Sequence, residues 1–446
     1  MDAFADALAA ALDTPRAAAR PAAPALALSL GRVLRETGPA SPWFETGLPA
    51  APRASVHSGA SGVAAALLAI SLARGEAETL AAARHWSERA MAQAQRADAY
   101  LSPADDITPA TVGAGGLAHG PAGTALVHGL VAGATGDPEG AREAMAMFLE
   151  RIAHGWAQPW RESARDDEAR AVSSHLETAL AAAEPGGEEG DLFVGTAGLL
   201  HGATRLLEAC AGIEGGPDAA PLLSFGRSLA ERLGRLLVEE PPIGRGGRLT
   251  RLGMAHGWAG LLYALLGWSR QQGLPPPPGL SGRLEELRAQ ALATPAGLRW
   301  PIMAGGDAAR PEAHMPGWCN GGAGHALLWL LAAERLGAEH LAVAEAAAEE
   351  ATAACRAGAV PFLCCGAVGV GFARLALFAA TGAARHLDAA AELAEHAAHR
   401  IREGGLPPQS LLRGAAGHAA LVAGLERPEE AALPVFGLPL APPVAP

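Results

Sequence analysis

A short glycine motif, Gly-x-x-Gly, recurs seven times along this chain, and an apolar run follows each copy. The first glycines of the seven copies are Gly59, Gly120, Gly195, Gly257, Gly321, Gly366 and Gly414. Runs such as VAAALLAISLARG after the first copy and HALLWLLAAERLG after the fifth are rich in Ala and Leu on nearly every side. Such runs predict buried helices, each about three turns long.

More amphipathic segments lie between the apolar runs. EAETLAAARHWSERAMAQAQR and AARHLDAAAELAEHAAHRIREGG carry Arg and Glu on one face and Ala and Leu on the other, at helical spacing. The alternation of Val, Ile and Thr that marks strands is almost absent. The sequence therefore predicts an all-α chain in which outer amphipathic helices alternate with inner apolar helices.

Inner helices that are apolar on all sides need neighbours on all sides. A ring of inner helices wrapped by outer helices, an α/α toroid of seven outer–inner helix pairs, meets that need. An open superhelix is the alternative, but its repeat length is usually more constant than the 45 to 75 residues between successive first glycines. In the toroid all seven glycine turns lie near one mouth. The glycines are expected to start helices there, with close backbone approach and positive φ, and most are not expected to contact a ligand.

The repeat continues across several long insertions, which predicts a single domain over residues 1–446. N-terminal helices are expected over about residues 1–54, the repeat region over about 55–430, and a proline-rich tail over 431–446, disordered in its last few residues. The insertions at residues 158–190, 240–250, 271–282 and 294–317 are predicted to be loops rather than linkers.

Charge and composition exclude several classes of protein. The net charge of −12 argues against a general partner of nucleic acid or of anionic membranes. No uninterrupted apolar run reaches the roughly 18 residues of a membrane span. Asp2 and Asp6 precede the first apolar stretch, the reverse of a secretory signal, so we expect a cytoplasmic protein. The odd number of cysteines, five, argues against a disulfide framework.

Function is expected where the glycine turns carry chemically active side chains. Cys319 and Cys364 lie two residues before the first glycines of adjacent turns, and Cys365 lies one residue before. His256 precedes the glycine of an earlier turn, and all four side chains can meet at one mouth. Zinc favours thiolate and imidazole ligands, and three protein ligands leave a fourth position open, as in catalytic sites.

The spacing alone also fits three buried thiols without a metal. That alternative is the preferred interpretation for the other two cysteines, Cys210 and Cys355, which lie in Ala- and Leu-rich helical stretches.

Several motifs, in order along the chain, resemble those of the lanthionine synthetase C-like (LanC-like) cyclases. They are GLAHGPAG, DLFVGTAG, GMAHGWAG, GWCNGGAGH, FLCCGAVGVG, SLLRGAAG and RPEEAALPVFGLP. The resemblance extends from about residue 55 to the C-terminus. It implies a toroid of seven helix pairs with a zinc ion at the mouth, bound by Cys319, Cys364 and Cys365. It also places His256 and Asp191 at the acid/base positions of the family.

The reaction that this resemblance implies is thioether ring closure. A peptide cysteine thiolate adds to dehydroalanine or dehydrobutyrine and forms (methyl)lanthionine. His256 is the candidate for deprotonating the thiol or protonating the enolate, and Asp191 would orient it. Without the resemblance, His256 would be a helix-start histidine and Asp191 an N-cap. His119 has the same Ala-His-Gly context as His256 and is the lower-ranked acid/base candidate.

Many family members have His at the position of Cys365, and a subset share the Cys-Cys-Gly motif found here. One further departure from the family pattern matters. Many members carry Arg four residues before the first zinc cysteine, and this chain has Met315 there. An enolate that forms beside a negatively charged zinc–thiolate site needs a compensating positive group. The candidates are Arg413, His314 and Arg310. Arg413 is preferred because it directly precedes Gly414 in the seventh turn.

The absence of lysine from the sequence bears on the partners that the protein would need. The chain contains no lysine, so it lacks the lysine of kinase and phosphate-binding loops. We therefore expect a stand-alone cyclase that acts on a dehydrated precursor peptide made by a separate dehydratase or kinase/lyase pair. The alternatives are a non-catalytic toroid that binds peptides or partner proteins, and addition of glutathione to dehydroamino acids.

A glycosidase on this fold needs two inward carboxylates, and the turns offer only Asp191. A terpene cyclase needs an aromatic cavity, and aromatic residues are 4% of this chain.

Overall fold

The computed structural model describes residues 24–96, 98–102, 107, 116–153, 189–305 and 314–438. These residues form fifteen helices and one two-stranded hairpin. The elements are α1 Pro24–Thr37, α2 Pro42–Thr46, α3 Ala60–Arg74, α4 Ala77–Gln93, α5 Pro121–Thr135, α6 Pro138–Ala153, α7 Thr196–Cys210, α8 Ala220–Glu239, α9 Trp258–Gln271, α10 Leu280–Ala289, β1 Leu292–Thr294, β2 Gly297–Arg299, α11 Gly322–Leu336, α12 Glu339–Arg356, α13 Ala367–Thr381, α14 Ala384–Gly404 and α15 Ala415–Gly424.

The odd-numbered helices from α3 to α15 form a closed inner ring. Each packs against the next one in chain order, and α15 packs back against α3. The even-numbered helices from α4 to α14 lie outside the ring, each against the inner helix before it. The outer partner of α15 is α1, which comes from the other end of the chain. The structure therefore confirms an all-α toroid of seven outer–inner pairs and excludes the open superhelix.

A circle of backbone hydrogen bonds joins the seven glycine turns. Its members are the residues two positions before each first glycine. The amide of each donates to the carbonyl oxygen of its counterpart in the next turn: His57 to Ala118 (2.9 Å), Ala118 to Phe193 (3.4 Å), Phe193 to Ala255 (3.3 Å), Ala255 to Cys319 (2.7 Å), Cys319 to Cys364 (2.9 Å), Cys364 to Leu412 (3.1 Å) and Leu412 to His57 (3.3 Å). All seven turns therefore meet at one end of the ring, which we call the mouth.

The glycines of the turns serve close packing and helix starts, as expected. Each first glycine is the N-cap of an inner helix. The expectation of positive φ was wrong, because all seven first glycines have negative φ and extended backbone. The second glycine lies against the backbone of its own turn. A Cβ at Gly198, for example, would overlap the carbonyl oxygen of Leu192.

The predicted insertions contain some regular structure. Residues 272–279 connect α9 to α10 without regular structure, but α10 begins at Leu280, inside the predicted loop 271–282. The hairpin β1–β2 overlaps the start of the loop expected at 294–317 and was not predicted. Residues 158–188 and 306–313 lie outside the described residues, as does the end of the tail, 439–446. In the described part of the chain, no helix combines the length and hydrophobicity that a membrane crossing requires.

The substitution Gly198→Ala tests the close approach in the turns. We expect it to lower the free energy of unfolding by about 1–3 kcal/mol, because the new methyl group must displace the Leu192 carbonyl. Gly234→Ala is the matched control, since Gly234 lies inside helix α8 with open space around its Cα. That substitution should raise the free energy of unfolding by about 0.5–1 kcal/mol. Equal effects in a denaturant titration would contradict the packing role of Gly198.

Candidate metal centre

Three cysteine thiols come together at the mouth. The Sγ atoms of Cys319, Cys364 and Cys365, which we call the thiol cluster, all lie within 4.8 Å of one another. The fifth and sixth turns hold them together, because the Cys319 amide donates to the Cys364 carbonyl at 2.9 Å. Sulfurs bound tetrahedrally at about 2.3 Å from one zinc ion lie roughly 3.8 Å apart, so the cluster has the dimensions of a zinc site.

The thiols perturb one another strongly. Hydrogen bonds from Cys319 and Cys364 lower the pKa of Cys365 to about 3, and the charge and hydrogen bond of Arg413 act in the same direction. Hydrogen bonds to Cys319 and Cys365, together with burial, raise the pKa of Cys364 well above its usual value. A hydrogen bond from Cys364 lowers the pKa of Cys319, but the bond to Cys365 and burial outweigh it and raise this pKa to about 12. Arg413 is thus a positive group that favours the thiolate form of Cys365.

The other two cysteines lie apart from the cluster, at the C-terminal ends of α7 and α12. Burial raises the pKa of Cys210 to about 11 and that of Cys355 to about 12. Both are protonated at neutral pH, as expected for thiols that serve packing.

The three cation candidates occupy different places. Arg413, in the seventh turn, lies within hydrogen-bonding distance of Cys365, and its backbone amide donates to Ser410 Oγ at 3.1 Å. His314 Nδ1 lies 3.1 Å from the Trp300 carbonyl oxygen, beside strand β2. Arg310 lies outside the described residues. Met315 packs against the apolar core. Arg413 is thus the cationic candidate that the described structure places at the thiol cluster.

His256 and Asp191 form a pair across the third and fourth turns. His256 Nδ1 lies 2.7 Å from Asp191 Oδ2. The other carboxylate oxygen, Oδ1, accepts hydrogen bonds from the amides of Phe193 at 2.7 Å and Val194 at 2.9 Å. Asp191 therefore caps its turn and also orients the imidazole. When Nδ1 donates to the carboxylate, Nε2 is the nitrogen that exchanges protons.

His119 differs from His256 in its surroundings. Its ring stacks on His57, with centroids 4.8 Å apart, and its buried Nδ1 has no hydrogen-bond partner among the described residues. Burial, followed by the charges of His256 and Arg413, lowers the pKa of His119 to about 4. The Phe193 ring lies between the two histidines, with its centroid 6.1 Å from His119 and 5.2 Å from His256. His119 is therefore a neutral imidazole at pH 7 without the carboxylate that orients His256.

His57 is a mouth residue that was not among the predicted site residues, because the residue directly before the glycine of the first turn is Ser58. His57 Nδ1 lies 2.7 Å from Ser58 Oγ, and burial, followed by the charges of His119 and Arg413, lowers the pKa of His57 to about 3. The signal was available, because Cys319 and Cys364 occupy the same position in their own turns.

Comparisons with known proteins agree with this fold. The family model described as "Lanthionine synthetase C-like protein" matches residues 52–438. A solved structure titled "Nisin cyclase" is similar in fold, with a TM-score of 0.61 and 14% sequence identity over 90% of this chain and 94% of that chain. No curated protein sequence matches the chain significantly. The structural match shows a shared fold, since the sequences are so distant.

Proposed function

The chain belongs to the lanthionine synthetase C-like family, and from this we propose that it is a stand-alone, zinc-dependent lanthipeptide cyclase. It would join peptide cysteines to dehydroalanine or dehydrobutyrine and so form (methyl)lanthionine rings. The observation that carries the proposal is the thiol cluster beside an oriented His–Asp pair at one mouth. The substrate would be a precursor peptide dehydrated beforehand by a separate dehydratase or kinase/lyase pair.

The thiol cluster is the proposed zinc site, with Cys319, Cys364 and Cys365 as ligands. Their spacing within 4.8 Å and their all-sulfur chemistry suit zinc. When bound, zinc would lower the pKa of a peptide thiol enough for a thiolate to form at neutral pH. Arg413 offsets part of the negative charge that three thiolates place at the mouth.

The protons that the reaction takes up and releases suggest the role of His256. The addition forms a carbon–sulfur bond at Cβ, moves the alkene electrons into an enolate, and ends when Cα gains a proton. The thiol loses one proton and Cα gains one, so a single group that accepts the first and donates the second completes the reaction. His256 suits this role because Asp191 fixes its Nδ1 side at 2.7 Å and leaves Nε2 for proton transfer.

The developing negative charge on the enolate assigns the role of Arg413. The guanidinium keeps its charge across the whole working pH range, so it can stabilise an anion without titrating. Arg413 stands in the seventh turn, next to the sixth turn that carries Cys364 and Cys365. It would thus supply the positive charge that Met315 lacks.

Metal analysis tests the zinc site directly. We expect about one zinc per chain in the purified protein, and loss of cyclisation when a chelator removes it. Cys364→Ala and Cys365→Ala should each lose the metal, because two thiols leave the site incomplete. Cys210→Ala and Cys355→Ala are the matched controls and should retain it. A metal-free protein that still closes rings would refute the site, and one that neither binds zinc nor closes rings would favour the scaffold alternative.

The substitution His256→Ala tests the acid/base assignment. We expect a folded protein that retains zinc and loses about 10²–10⁴-fold in the rate of ring closure. His119→Ala is the matched control, and its effect should be smaller because no carboxylate orients that imidazole. To measure the rate, the free thiols that remain in the peptide are blocked at successive times, and mass spectrometry counts the blocked thiols. Full activity in His256→Ala with loss in His119→Ala would reverse the two roles.

The substitution Arg413→Gln tests the cation assignment. We expect about a 10²-fold lower rate with zinc retained, as for the loss of one group that stabilises an oxyanion. His314→Gln is one control, and Arg356→Gln, which removes an exposed arginine of α12 that pairs with Glu392, is the other. Both should keep the wild-type rate. Because arginine side chains in general keep their positive charge, raising the pH above neutral should not abolish the wild-type activity. Loss of activity in His314→Gln, with a wild-type rate that falls as imidazoles lose their protons, would transfer the role to His314.

A further inference from the structure

The C-terminal segment of residues 433–438, which we call the plug, lies inside the ring of inner helices. Leu433, Val435, Phe436 and Leu438 are all buried, and Phe436 is completely so. A Cβ at Gly267 of helix α9 would overlap the Leu438 side chain, so this glycine leaves room for the plug. Residues that the sequence places in a proline-rich tail are thus part of the core.

Two buried polar side chains on the inner helices bind the backbone of the plug. His201 of α7 lies with Nε2 3.1 Å from the Val435 carbonyl oxygen. The Tyr263 hydroxyl of α9 accepts a hydrogen bond from the Leu438 amide at 2.9 Å. Burial lowers the pKa of His201 to about 3 and raises that of Tyr263 to about 12, so both are neutral at pH 7. These contacts fix the plug at two points along its length.

Between the two points the plug makes a strained turn. Val435 has a φ of 68°, and it is the non-glycine residue with positive φ in the described part of the chain. The Phe436 amide donates to the Pro434 carbonyl at 2.8 Å, which closes a γ-turn around Val435. Such a conformation in a β-branched residue costs about 1–3 kcal/mol and persists only where the surroundings hold it. The turn presents the Phe436 ring to the glycine turns.

Phe436 packs beneath the thiol cluster. Its ring centroid lies 4.6 Å from that of Trp318 and 5.5 Å from that of Phe193, and the last two rings lie 5.4 Å apart. Trp318 directly precedes Cys319 and is completely buried. A Cβ at Gly369, in the sixth repeat, would lie 3.2 Å from the Trp318 Cβ. Trp318 thus fills the space between the two turns that carry the cluster.

We propose that Phe436 is a positioning residue of the metal centre. The plug holds the Trp318 ring from inside the toroid, and Trp318 in turn fixes the backbone from which Cys319 extends. Because the rotamer of Cys319 depends on that backbone, loosening the plug changes the geometry of the cluster without removing a ligand. The proposal rests on the proposed zinc site, and it adds that the far end of the chain sets the metal affinity of that site.

The substitution Phe436→Leu tests this role. It keeps an apolar side chain and removes the ring that contacts Trp318. We expect zinc to bind about tenfold more weakly, as for other losses of support behind metal ligands. The affinity is measured on metal-free protein by competition with a chromogenic chelator. Cobalt provides a second readout, since the absorption bands of a cobalt–thiolate site report its geometry.

Phe225→Leu is the matched control. Phe225 is buried on the outer helix α8 and packs against Phe148 of the outer helix α6, with ring centroids 6.3 Å apart. It should lower the melting temperature about as much as Phe436→Leu does and leave zinc affinity unchanged. Equal zinc affinity in wild type and both variants would overturn the positioning role of Phe436 and leave the zinc site intact.

Tyr263→Phe tests the link between the plug and the metal centre and leaves the aromatic contacts of Trp318 unchanged. It leaves the Leu438 amide without its partner, so we expect a smaller loss of zinc affinity, about threefold, with altered cobalt bands. Unchanged affinity and bands in this variant would show that the plug does not act through its anchor on α9. A wild-type protein that binds no zinc at all would instead refute the proposed function, so the two failures are distinguishable.

Discussion

The circle of backbone hydrogen bonds at the mouth is the constraint on which the site depends. Each bond contributes only about 1 kcal/mol to the net stability, so its importance is geometric. Because every turn pairs through the same position, the seven turns share one register. A slip of one residue in any turn would replace the side chains that it presents at the mouth. Residues far apart in sequence, such as Asp191 and Cys365, therefore reach the same mouth in a defined order.

That order places complementary chemistry on the two sides of the thiol cluster. The fourth turn carries His256 and pairs with the fifth, which carries Cys319. The seventh turn carries Arg413 and pairs with the sixth, which carries Cys364 and Cys365. The proposed base thus flanks one side of the proposed metal site and the permanent cation flanks the other. The first and second turns carry histidines that burial keeps neutral, so they add no charge that would compete with Arg413.

The sequence was sufficient to predict the fold and much of the mouth, because both repeat. Glycine turns and apolar runs indicate helix pairs locally, and equivalent positions such as those of His256 and Arg413 follow by analogy from one turn to the next. The features that the sequence could not predict depend on contacts between segments that no repeated motif indicates. Helix α1 supplies the outer partner of α15 only because the ring closes. Phe436 lies in a segment whose prolines suggest a loose tail, and its place beneath Trp318 depends on a strained turn at Val435.

The mouth residues that would take part in the reaction differ in solvent exposure according to their position in the turn. Cys319 and Cys364, members of the backbone circle, are buried, whereas Cys365 and His256, one position later, are partly exposed, and Arg413 is exposed. A peptide that arrives from solvent would therefore meet His256, Cys365 and Arg413 before the buried residues that precede them. The earlier position faces the interior, where Phe436 packs against Trp318 and Phe193. In the third, fourth, sixth and seventh turns, two adjacent residues thus differ: the later one can face a substrate, and the core holds the earlier one in place.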